Sequence, residues 1–154
     1  MLVDLPGRHE PFRELFGDET ESYADALDRH YSQGAEPGWH DRWVSAYATM
    51  HPWEDWAETF AHYLHIRDSL DTAVAFGMSL SGPDEGTADG SVEPTDDVDD
   101  TSFWSVARDW SALSTALNAV NRSRGHGDLY PFALAPPVVA KMAYVHDLVR
   151  GEDG

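Results

Sequence analysis

Apolar residues recur at spacings of three and four through most of this chain, the period of a helix with one buried face. The strongest run covers residues 52–76. Pro52 opens it, Gly77 closes it, and Trp53, Trp56, Ala57, Phe60, Leu64, Leu70, Ala73 and Val74 form its stripe. A second run over 102–122, with Gly125 beyond it, carries Phe103, Trp104, Ala107, Trp110, Leu113, Leu117 and Val120. A third over 136–150 carries Val138, Val139, Met142, Val145, Leu148 and Val149. Nearer the start, Asp18-x-x-Glu21 has the form of a capping box. It predicts a helix over 21–33, stopped by Gly34, with Tyr23, Ala26, Leu27, His30 and Tyr31 on its apolar side. A helical turn over 11–16 precedes it, with Pro11 in the first position, where proline is tolerated. Pro37, Gly38 and Trp39 mark a loop, and residues 42–50 fit helix or loop equally. Leu129-Tyr130-Pro131-Phe132 reads as a turn that folds its aromatics back on the core. No segment alternates as a half-buried strand would. The expected fold is all-α, one domain over residues 1–154 with two or three long helices around a Trp-rich core.

Charge adds a second feature. Against 10 Lys and Arg stand 28 Asp and Glu, a formal charge of -18. Such a field repels nucleic acid and anionic membrane, so neither is an expected partner. Much of the acid is local: residues 82–100 read GPDEGTADGSVEPTDDVDD, with no Lys or Arg. This composition predicts a flexible, solvated insertion between two helices. A calcium loop would need acids at alternate positions, then Gly, then Glu, and that order is missing. Cys is absent, which excludes disulfides, thiolate metal sites and Cys nucleophiles within these residues. No apolar run approaches the ~20 residues that span a bilayer, and no signal peptide is visible. A cytoplasmic location is the expectation.

Candidate chemistry concentrates in SAYATMHPWEDWAETFAHYLH, residues 45–65. Glu54 and Glu58 are four apart and share a helix face, which His62 continues and His65 follows three residues on. Oxygen and nitrogen ligands of this kind suit zinc. The same spacing also describes an ordinary surface Glu–His pair, and a histidine among aromatics is often a packing residue.

The segment SAYATMHPWEDWAETFAHYLHI resembles the signature of a zinc-binding metallopeptidase family of bacterial proteins. The tail NRSRGHGDLYPFALAPPVVAKMAYVHDLVR is similar to that family's C-terminal end, and PFRELFGDETESYADALDRHYSQG resembles the stretch after its first zinc-binding helix. The resemblance implies a gluzincin plan, in which two histidines of an HExxH helix and a downstream glutamate hold zinc. Glu54-Asp55-Trp56-Ala57-Glu58 matches the E-x-x-A-E of the second helix. By that match Glu54 is the third zinc ligand, and Glu58 orients a ligand histidine. Tyr47, seven residues before Glu54, matches the tyrosine that stabilises the oxyanion of the tetrahedral intermediate. The implied substrate is a peptide or protein. No role for His51, Asp55, His62 or His65 carries over; His62 and His65 are expected to support or pack.

The chain departs from the family in lacking HExxH. Its His9-Glu10 pair is followed by Pro11-Phe12-Arg13, without the second histidine. The expectation is therefore a C-terminal portion, with the HExxH helix and a cysteine-rich zinc ribbon upstream of residue 1, and no peptide hydrolysis by these 154 residues alone. Two other readings compete. One is a non-catalytic acidic helical module that binds a protein through a Trp-lined face, although Trp53, Trp56, Trp104 and Trp110 all fall on core stripes. The other is an independent metal protein built on Glu58, His62 and His65 with His51 nearby. Di-metal bundles of that kind need a second E-x-x-H helix, which the later helices do not offer. Oligomeric state is not readable.

Overall fold

A computed structural model describes residues 9–81, 91–92, 102–130 and 134–151. These form helices α1 (His9–Phe16), α2 (Tyr23–Gln33), α3 (Pro52–Ala75), α4 (Phe103–Ser123) and α5 (Pro136–Arg150). Single 3-10 turns occupy Trp39–Asp41 and Tyr47–Thr49. The one departure from an all-helical fold among the described residues is a minimal antiparallel pair, β1 (Leu80–Ser81) with β2 (Ser91–Val92). The rest of the acidic insertion expected over 82–100 lies outside the described residues, as do Pro131 and Phe132 of the expected turn.

The chain divides into two compact units, Met1–Tyr63 with Ala135–Gly154, and Leu64–Leu134. In the first, α1 and α5 lie in contact. The core there is aromatic. Phe12 and Phe16 of α1 stack at 4.9 Å, and the Trp56 ring of α3 meets both, at 5.9 and 5.4 Å. Val138, Met142 and Val145 of α5 are buried with them. In the second unit, Ile66, Leu70 and Ala73 of α3 and Phe103, Val106, Trp110 and Leu113 of α4 are buried. Asn118 pins the segment after α4: its amide donates to the Tyr130 carbonyl and accepts from the Leu129 N–H, each at 2.8 Å. Tyr130 then meets Trp110 edge-on at 5.1 Å. So the part of the Leu129–Phe132 turn that is described does fold back on α4.

Three local expectations need correction. Asp18 does not cap α2. It folds into a tight turn, accepting from the Thr20 N–H and hydroxyl, and Ser22 is the N-cap, its Oγ accepting from the Asp25 N–H. A side-chain turn competes with a cap for the same acidic oxygen, and here the turn wins. On α4 the buried face includes Val106, Asp109, Ser114 and Asn118, while Trp104 is 60% exposed and Val120 58%. The stripe was drawn through the largest apolar residues, but the face is set by register. On α3, Leu64 is exposed, and Thr59, Tyr63 and Ile66 take the buried positions. The helix stops hold: Gly34 (φ 74°) and Gly77 (φ 61°) both adopt left-handed backbone.

Candidate active site

Two acids stand in the first turn of α3, Glu54 and Asp55. The positive end of a helix favours anionic side chains there. The turn is fixed by His51. Its carbonyl accepts from the Asp55 N–H at 3.0 Å, which makes it the N-cap, and Pro52 follows as the first helical residue. The His51 ring caps as well: Nδ1 accepts from the Trp53 N–H at 3.1 Å. Its Nε2 therefore carries the proton and donates to the Glu21 carbonyl at 3.1 Å. One buried imidazole thus ties the start of α3 to the residue before the α2 cap.

That tie brings distant residues to Glu54. The Tyr23 ring lies 5.3 Å from His51, and its hydroxyl donates to Glu54 Oε1 at 2.6 Å. The Tyr47 side chain lies near the same phenol. The Tyr23 hydroxyl is held well above the usual phenol range, first by the bond to Glu54 and then by Tyr47, because a neighbouring acceptor favours its proton. Tyr47 sits on its 3-10 turn, which Ser45 Oγ steadies by accepting from the Ala48 N–H. The His30 ring of α2 meets the Tyr47 ring edge-on at 5.6 Å. Tyr47 is 36% exposed and Tyr23 42%, so both phenols face solvent, while Glu54 is half-buried.

Tyr23 therefore holds Glu54 and lies near Tyr47, although sequence spacing placed it on a packing stripe. Glu58 lies one turn further along α3, half-buried, and among the described residues no hydrogen bond joins it to Tyr23, Tyr47 or Glu54. The His62 Nδ1 donates to the backbone carbonyl of Glu58 at 2.8 Å. His65 is exposed and its ring stands 6.4 Å from Tyr130.

Asp55 turns to the opposite side. It is buried and pairs with Lys141 of α5, Oδ2 to Nζ at 2.5 Å. Lys141 also donates to the Arg42 carbonyl at 3.0 Å, and its cation lies over the Phe16 and Trp43 rings. Burial pushes the Asp55 carboxyl up to about 6, with Lys141 opposing the shift. This pair clamps the base of the helix that presents Glu54. Sequence reasoning missed it because its partners are 86 residues apart.

Among the described residues, no three His, Asp or Glu side chains converge to hold a metal ion. Taken alone, then, they do not fit a bound zinc. No described helix is long and apolar enough to cross a membrane.

A family model described as "Putative zinc-binding metallo-peptidase" matches residues 1–148. An uncharacterized protein of Mycobacterium tuberculosis (strain H37Rv) is 51% identical over 138 residues, 90% of this chain and 38% of that protein. An uncharacterized protein of Mycobacterium bovis matches to the same extent. The chain thus spans 38% of the length of the curated relatives it matches. No solved structure matches.

Proposed function

This chain belongs to the zinc-binding metallo-peptidase family, and on that premise we propose that it supplies the second-helix part of a gluzincin centre. In this reading Glu54 is the third protein ligand, Tyr47 donates to the oxyanion and Glu58 orients a ligand histidine. The two histidines and the general base come from an HExxH helix outside these residues. The observation that supports it most is the Tyr47–Tyr23–Glu54 arrangement. A carboxylate that is one member of a metal site must be held in one orientation, and a 2.6 Å phenol bond does this. Tyr47, seven residues earlier, lies near that phenol and stays exposed enough to meet a substrate carbonyl. Zinc held by Glu54 together with the two histidines would supply Lewis-acid chemistry at the scissile bond. The residues here orient, and hold a donor where negative charge develops.

The test is zinc content and peptidase activity in the protein carrying both helices. Glu54→Gln is expected to lose stoichiometric zinc and activity together. Tyr47→Phe keeps zinc and loses about 10²–10³ in kcat, the usual cost of one oxyanion donor. Glu58→Gln weakens zinc by about 10–100-fold. Full zinc and full activity in Glu54→Gln would overturn the reading.

The exposed Trp104 supports the second reading, a non-catalytic protein-binding module. In that case Trp104→Ala abolishes partner capture and Glu54→Gln does not.

A further inference from the structure

A pocket of about 460 Å³ opens at the C-terminal end of α2, and His30 belongs to both its wall and the Tyr47 contact. That volume is within the usual range for ligand sites. We propose that this pocket receives a basic side chain, lysine or arginine, of the peptide substrate. The proposal rests on the peptidase reading for the kind of molecule bound, while the pocket itself does not depend on zinc.

Ala35 and Pro37 line the pocket and are accessible, so they offer apolar contact for a methylene stem, over a floor closed by the buried Ala26 and Met50. Gln33 and Gly34 bring in the end of α2. The last carbonyls of a helix lack intrahelical donors and carry its negative partial charge, which favours a cation. Glu36 adds a full negative charge on the same wall, and its carboxylate has no hydrogen-bond or ion-pair partner among the described residues. The competing cation is Arg29. It lines the pocket too, and its guanidinium stands 4.0 Å from the Glu21 carboxylate. At longer range, the -18 formal charge draws cationic peptides and repels acidic ones. A basic residue seated here would lie beside His30, and so beside Tyr47.

The experiment is fluorescence anisotropy with two labelled pentapeptides, identical except for lysine or norleucine at the centre, on the 154-residue chain at low salt. Norleucine keeps the stem and removes the charge. The lysine peptide is expected to bind about two- to fivefold tighter, the scale of one partly exposed ion pair. Glu36→Gln brings the ratio close to one, and Gln33→Lys brings it to one or below. Both positions are exposed, and unchanged circular dichroism confirms that the variants fold. Equal binding of the two peptides, no binding of either, or a lysine preference that survives both pocket variants overturns the proposal. Zinc content in Glu54→Gln reports separately on the metal reading, so either idea can fail without the other.

Discussion

The two halves of α3 are made of the same kinds of residues and behave differently. In the first half, beside the local bonds of Thr59 and His62, three polar side chains reach far along the chain. Glu54 meets Tyr23 across 31 positions, Asp55 meets Lys141 across 86, and Tyr63 meets His146 across 83. In the second half, Ser69 and Thr72 turn back on their own helix, bonding the carbonyls four residues before them. A local bond costs little to form and fixes nothing beyond one turn. A distant bond must overcome the entropy of ordering two segments, so it survives where it positions something. On this helix the span of the bond, more than the residue type, separates the candidate site from ordinary surface.

The contrast is sharpest at Asp55. Lys141→Met leaves the Asp55 carboxylate buried without its counter-ion. It is expected to cost about 3–5 kcal/mol in urea unfolding at neutral pH, against less than about 0.5 kcal/mol for Asp68→Asn on the exposed second half. Adding Asp55→Asn should recover most of the loss, because the unpaired charge leaves with it. A small effect of Lys141→Met would mean that the long bond holds nothing.

The same pair gives a pH dependence. Asp55 titrates near 6 when folded and near 3.8 when unfolded. Between those values the folded chain holds the extra proton, so this group's contribution falls as pH rises through the window and is flat on either side. Stability curves of wild type and Asp55→Asn should differ in slope only between about pH 4 and 6. A difference of the opposite sign would mean that the Lys141 pairing outweighs the cost of burial.

These tests bear on what was legible in the sequence. The long helices and their glycine stops were readable because period and breakers are local. The stripe on α4 was misdrawn because Trp104 is large and apolar yet 60% exposed, while small Ser114 and Asn118 are buried. A helix face follows from what packs against it, and no single sequence displays that. Glu54 and Tyr47 were picked out by resemblance. Tyr23 and His51 were missed for a different reason. Tyr23 read as one more aromatic on a stripe and His51 as an unassigned histidine, and their roles exist only once the loop over 34–50 returns the chain.

A smaller effect is expected at His51, where two jobs can be separated. His51→Ala removes the side-chain cap of α3 and should cost about 1 kcal/mol. Asn is a good N-cap, so His51→Asn should restore most of that stability. It cannot restore the bond to the Glu21 carbonyl or the surface against Tyr23. A variant as stable as wild type but altered at the Tyr23 ring resonances would show that the imidazole positions as well as caps. Full recovery of both would reduce His51 to a cap.

The smallest stability effect belongs to Tyr23→Phe. The ring stays, and the hydroxyl lost is on a residue 42% exposed, so thermal unfolding should be indistinguishable from wild type. What changes is Glu54, which loses the donor on Oε1. In the protein carrying both helices, zinc affinity should fall by about 10–100-fold, the cost of losing a group that orients a ligand. The same change at Tyr31, an exposed aromatic on the same helix, should leave zinc untouched. If Tyr23→Phe and Tyr31→Phe behave alike, the phenol that holds Glu54 is a surface contact, and the span of a bond is no guide to function in this helix.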